Sequence, residues 1–273
     1  MSWWGKVVGG AFGFMLGGPL GALLGAVLGH QFDKGLRLQD QLGGPFRPGD
    51  QERVQMAFFT ALFSTMGHVA KADGRVSENE IDMARGVMQQ MRLDEQQKRA
   101  AIDLFNQGKQ SDFDLDGVLE QFRQEARRRR TVLQMFMEIL IHAAYADGVM
   151  HPTEQNVLRH IGQRLGFSGS AFEQLLGMVQ AQRQFHQQYA GAGAGGQAGR
   201  SSAAQLKQAY ELLGVSENAS DTEIKKAYRR QMNQHHPDKL VARGLPEEMI
   251  KIANEKTQEI REAYDLINKS RGR

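Results

Sequence analysis

Apolar residues recur at helical spacing through most of this chain, and no useful length of it alternates as a half-buried strand would. Between Gln51 and Tyr189 the pattern is almost wholly helical. Phe58, Phe59, Leu62, Phe63 and Met66 form one apolar group, and Leu133, Phe136, Met137, Leu140 and Ile141 another. This stretch predicts an all-α domain of about six or seven helices. Toward the C-terminus, Asp221 to Gln234 reads as a helix opened by a capping box, with Ser220 capping the amides and Glu223 reaching back. Ile224, Ala227 and Tyr228 share its inner face, flanked by the i,i+4 pairs Lys225–Arg229 and Lys226–Arg230. A further helix is expected from Pro246, since proline suits a first helical position. There Ala253, Ile260 and Ile267 repeat every seven residues, and Met249, Ala263 and Tyr264 fill the same face. Two antiparallel helices should zip together, with His235-His236-Pro237-Asp238-Lys239 projecting from their tip.

The amino end is different. No charged residue falls between Val7 and Gly29, a stretch long enough to cross a bilayer. Trp3, Trp4 and Lys6 stand at its near end, and His30, Asp33, Lys34 and Arg37 at its far end. A secretory signal would need a strongly basic start and a cleavage site, and neither is apparent. Pro19 is tolerated in a membrane helix. Gly9, Gly13, Gly17, Gly21, Gly25 and Gly29 recur at every fourth residue, a stripe of bare backbone that lets a second helix approach closely. A homodimer through this helix is the simplest outcome. Charge alone orients the span only slightly, with Lys34 and Arg37 favouring a cytoplasmic far side.

An internal repeat marks the middle of the chain. His68-Val69-Ala70-Lys71-Ala72-Asp73-Gly74 matches His142-Ala143-Ala144-Tyr145-Ala146-Asp147-Gly148, each followed six residues after the glycine by Glu80 or Glu154. Asp73, Glu80, Asp147 and Glu154 could offer carboxylates to calcium or magnesium. Helix ending at Asp-Gly and capping of the next helix account for the same residues, and their spacing is not that of a calcium loop, so no metal or other cofactor is assigned. The four arginines Arg127 to Arg130 lack interleaved aromatics and have Glu120, Glu125 and Glu138 nearby. They read as a solvated face, or as a contact for anionic lipid headgroups, rather than a nucleic-acid patch. Residues 190–204 are glycine, alanine and serine around a glutamine and an arginine, and predict a flexible tether.

The chain of 273 residues thus divides into a tail (1–6), a transmembrane glycine-zipper helix (7–29), a connector (30–50), a helical domain (51–189), a linker (190–204) and a C-terminal helical hairpin (205–273). A formal net charge of +3 without charged tails points to no nucleic-acid partner, and the absence of cysteine excludes disulfides and thiolate metal sites. No phosphate loop or nucleophile–base pair is recognisable, so an enzyme is not expected.

The C-terminal module resembles a J domain, the co-chaperone module that acts on DnaK-type chaperones. Four blocks in order carry the resemblance: Tyr210-Glu211-Leu212-Leu213-Gly214-Val215, Ile224 to Arg230, His236-Pro237-Asp238, and Glu259-Ile260-Arg261-Glu262-Ala263-Tyr264. The run from His235 to Pro246 is similar to that of a membrane-anchored subclass of J proteins. The repeat resembles the TerB-like helical fold of tellurite-resistance proteins. These resemblances imply a co-chaperone anchored in the bacterial inner membrane by a single pass, its short N-terminus periplasmic and its bulk cytoplasmic, where the chaperone and its ATP lie. Lys225, Lys226, Arg229 and Arg230 would meet an acidic chaperone face, and His236, Pro237 and Asp238 would favour the hydrolysis-competent state. Gln231 departs from the pattern, standing where J domains usually carry an apolar residue, and Gln234 stands where lysine is common. The competing function is an envelope-stress or metal-responsive scaffold, with the TerB-like domain as sensor and the J domain only recruiting chaperone.

Overall fold

A computed structural model describes residues 18–23, 50–72, 78–127, 129–145, 148–191, 198–243, 245, 246 and 249–272. Those residues are helical, without a strand among them. They form two compact units, the first comprising residues up to Phe167 together with Val241–Met249, the second Ser168–Leu240 with Ile250 onward.

The first unit is organised around α1 (Asp50–Ala70). Every residue from Val54 to Gly67 is buried, the condition of a helix surrounded on all sides rather than one laid on a surface. Packed on it are α2 (Glu78–Gln90), α3 (Glu95–Gly108), α4 (Leu115–Glu125), α5 (Arg130–Ala144) and α6 (Pro152–Arg164). Phe58 meets Phe122 and Phe136 edge-on at 5.9 Å, and those two rings lie 4.7 Å apart, joining α1, α4 and α5. Two glycines set the α1–α3 crossing. A Cβ on Gly67 would stand 2.0 Å from the Phe105 carbonyl oxygen, and one on Gly108 1.8 Å from that of Ser64. Backbone therefore touches backbone in both directions, and nothing larger than hydrogen fits. The Asp94–Gln97 box starts α3, with Asp94 Oδ1 accepting from the Gln97 amide at 2.8 Å and Gln97 Oε1 from the Asp94 amide at 2.8 Å.

The second unit contains α7 (Gly169–Gly191), α8 (Ala198–Leu213), α9 (Asp221–His235), the short α10 (Pro237–Ala242) as far as Leu240, and α11 (Ile250–Ser270). Its core joins Ala209, Tyr210, Leu212 and Leu213 of α8 to Ile224 of α9, to Ile260, Ala263 and Ile267 of α11, and to Phe185 of α7. The Gln182 amide on α7 bridges two charges of α11, accepting from Lys256 Nζ and donating to Glu259 Oε2. All three side chains are buried. Arg271 closes the unit, donating to Tyr210 OH at 2.8 Å, to Asp221 Oδ1 at 2.8 Å and to the Glu217 carbonyl at 3.0 Å.

Three boundaries differ from the sequence reading. The last helix of the 51–189 stretch, α7, packs with the C-terminal hairpin, because Phe185 joins the apolar core there and Met178 Sδ meets the Gln231 amide. The 190–204 segment is helical at both ends, to Gly191 and again from Ala198, as its alanines permit, and residues 192–197 lie outside the described residues. The final helix begins at Ile250 rather than Pro246, with the Met249 amide bonded to the Pro246 carbonyl at 2.9 Å. No helix among the described residues is long and apolar enough to cross a membrane. Of the predicted span 7–29, only residues 18–23 are described; Gly21 is buried, and Gly9, Gly13, Gly17, Gly25 and Gly29 lie outside the described residues.

Candidate functional site

The site is built on α9. Its capping box forms as the spacing requires, with the Ser220 amide donating to Glu223 Oε2 at 2.7 Å and the Glu223 amide to Ser220 Oγ at 3.3 Å. The Ser220 hydroxyl, which donates to Glu223 Oε2 at 2.8 Å, and then the Ser220 amide hold the Glu223 carboxyl below its ordinary value. Ile224, Ala227, Gln231 and His235 form the buried face. The opposite positions, Lys225, Lys226, Arg229 and Arg230, are exposed. Tyr228 stacks on Tyr264 at 4.1 Å and 16°, fixing α9 against α11.

Lys225, Lys226 and Arg229 line one open groove with Tyr264, Asp265 and Asn268. Arg230 faces elsewhere, toward the α8 terminus, where its Nη2 lies 3.8 Å from the Cβ position of Gly214. The predicted basic cluster is therefore three cations in a groove and a fourth beside it.

Proline ends α9. His236, preceding Pro237, is extended at φ −63° and ψ 123°, the region that a following proline enforces. Pro237 opens α10, and the amides of Lys239 and Leu240 both bond to the His236 carbonyl, at 3.1 and 3.0 Å. Leu240 is fully buried and anchors the turn. Its polar members face outward: the His236 side chain is 47 % exposed and that of Asp238 92 %, with Nδ1 and Oδ2 4.0 Å apart. His235 points inward instead, its Nδ1–H donating to the Gln231 carbonyl at 3.0 Å. Lys239, placed at the projecting tip by the sequence but given no docking role, donates across the turn to Asn233 Oδ1. Gln231 is buried against α7, where its Nε2 approaches Met178 Sδ at 3.7 Å.

Family models match the chain in three places: the Co-chaperone DjlA transmembrane domain over residues 1–39, Tellurite resistance protein TerB over 59–176 and the DnaJ domain over 208–273. Co-chaperone protein DjlA of Vibrio cholerae is 48 % identical over 286 residues, covering 100 % of this chain and 99 % of its own. The chain belongs to the DjlA co-chaperone family. DjlA proteins of Coxiella burnetii and Shewanella oneidensis are 45 % and 42 % identical, each covering 99 % or more of this chain and 99 % of its own. No solved structure matches it significantly. The DnaJ match covers the basic helix and the turn, so within the DjlA family frame those residues form the candidate docking surface.

In the TerB-matching part, Glu154 is buried at the third position of α6 and accepts from the His151 amide at 2.8 Å, so its carboxylate serves a helix cap. Asp73 and Asp147 lie outside the described residues, as does Ser77. No group of three or more metal-ligating side chains occurs among the described residues. Arg129 and Arg130 of the arginine run are engaged within the protein, Arg129 with the Arg243 carbonyl at 3.2 Å and Arg130 over the Phe167 ring at 5.7 Å.

Proposed function

We propose that this chain is a membrane-anchored co-chaperone that stimulates ATP hydrolysis by a cytoplasmic DnaK-type chaperone, and is not itself an enzyme. The observation carrying this is the exposed His236–Asp238 turn at the end of a helix whose outer face is cationic and whose inner face is locked into a core. Lys225, Lys226 and Arg229 attract and orient an acidic chaperone face, which speeds encounter more than it deepens affinity. The turn then engages the chaperone state that hydrolyses ATP better than the state that does not, since only differential binding shifts a population. The anchor, by its family match, holds this activity at a membrane. Its glycine stripe pairs two copies, and the DnaK-facing bulk lies on the cytoplasmic side.

Single-turnover ATP hydrolysis by a purified DnaK-type chaperone, with the full-length protein in detergent and with His236→Gln beside it, tests the proposal. Stimulation by the wild type and its loss in the variant are expected. A folded wild type that leaves hydrolysis unchanged refutes it. Cross-linking of Gly17→Leu and Gly21→Leu variants tests the pairing, and undiminished dimer would refute that part.

A further inference from the structure

The described residues between the turn and α11 are held by burial and by hydrogen bonds. Val241–Met249 belongs to the first unit, although its flanks belong to the second. Leu245 and Met249 are fully buried, and Pro246 is buried between them. Two elements of the first unit grip the segment through its backbone. From the start of α1, Gln51 Nε2 donates to the Val241 carbonyl at 3.0 Å and Gln55 Nε2 to the Leu245 carbonyl at 3.3 Å. From the start of α5, Arg129 donates to the Arg243 carbonyl at 3.2 Å, while the Arg243 guanidinium returns a bond to Thr131 Oγ1. Gln51 and Gln55 are one helical turn apart and act along one line. Three of these four bonds end on main-chain carbonyls, so they hold the shape of the segment rather than recognise its side chains.

Asp238 is three residues from Val241, a reach of roughly 10 Å at full extension. We propose that Gln55 and Arg129 are positioning residues for the co-chaperone reaction: by clasping Val241–Met249 they hold the His236–Asp238 turn in its docking conformation. This rests on the co-chaperone reading above. The clasp leaves the turn open, since His236 and Asp238 stay exposed while it is closed. Its effect is therefore preorganisation, which lowers the ordering needed at docking, rather than occlusion. Loosening it should weaken docking and leave the hydrolysis step of the docked complex alone.

The test uses the full-length protein in detergent, with Gln55→Ala and Arg129→Ala made separately and Arg129→Lys as the conservative variant. Hydrogen exchange at the Lys239 and Leu240 amides, which bond to the His236 carbonyl, reads the turn without any chaperone. Both alanine variants should speed that exchange several-fold while protection across α1 and α5 is kept. In ATP hydrolysis by a DnaK-type chaperone, the co-chaperone concentration for half-maximal stimulation should rise by about three- to tenfold, the scale of a lost hydrogen bond, with the maximal rate unchanged. Arg129→Lys should restore part of both. Unchanged exchange at Lys239 and Leu240 would overturn the clasp, and faster exchange with unaltered half-maximal concentration would overturn its role in docking. A wild type that does not stimulate at all would sink the co-chaperone reading, leaving the exchange data to judge the clasp alone.

Discussion

Replacing Gly67 by alanine puts the α1–α3 crossing to a direct test. The added Cβ would lie 2.0 Å from the Phe105 carbonyl oxygen, whereas a carbon–oxygen contact is comfortable at about 3.3–3.6 Å. The obstacle is backbone, so no rotamer change relieves it, and α1 and α3 must part by about 1.5 Å to do so. Overpacking of this kind costs about 3 kcal/mol at the upper end of its usual range. Alanine returns at most about 1 kcal/mol through its better helix propensity. The net loss is about 2 kcal/mol, which for a chain of this size lowers the melting temperature by about 4–8 °C. Gly86 on α2 is the control, because a Cβ there meets nothing within 4 Å. Gly86→Ala should therefore stabilise by about 0.5–1 kcal/mol. Thermal unfolding followed by circular dichroism, with hydrogen exchange in α3 as a local readout, distinguishes the two. Should Gly67→Ala prove as stable as Gly86→Ala, the close crossing would be wrong.

Three further outcomes are expected. Burial holds the His68 imidazole below its ordinary 6.5, a hydrogen bond to the Gly108 carbonyl opposes this, and nearby His160 adds to it. The unfolded chain then binds more protons near that pH, so the stability His68 contributes is complete above about 6.5 and is lost as pH falls below it. Melting temperatures between pH 7.5 and 5.5 should show the drop, and His68→Gln should flatten it. Arg271→Ala removes three hydrogen bonds that tie the end of α11 to α8 and the start of α9, and should lower the urea midpoint of the second unit; an unchanged midpoint would mean that the terminus is ornamental. Gln231→Leu should stabilise by about 1 kcal/mol, because Gln231 Oε1 is buried without a hydrogen-bond partner among the described residues, and a lower urea midpoint would contradict that account.

Much of the candidate site was legible because its determinants are local. The spacing of Ile224, Ala227 and Gln231 marks one face of a helix, Ser220 and Glu223 mark its start, and Pro237 dictates where it stops. The cations at 225, 226, 229 and 230 then fall on the outer face by periodicity alone, and the Tyr228–Tyr264 contact follows from pairing two amphipathic helices. Lys239 and Arg271 were not legible, since one bonds across a turn and the other to residues 50 and 61 positions away. The meaning of Gln231 was hidden for a similar reason. Nothing near it in the chain announces that Met178 lies opposite.

Taken by itself, the sequence determined the helical class, the capped starts of α6 and α9, the two-module order and the proline turn after α9, all products of short-range periodicity and stereochemistry. Tertiary structure alone decided which module owns each piece. Helix α7 follows the TerB-like pattern in sequence yet packs with the J helices, and Val241–Met249 leaves the hairpin to join the first unit. The α1–α3 crossing is of the same kind, being made of the contacts Gly67–Phe105 and Ser64–Gly108, far apart in sequence, that only the packed helices bring together. Helical periodicity specifies that a face is apolar, but the partner of that face is chosen by shape and by the satisfaction of buried polar groups, and these exist only once the chain has folded.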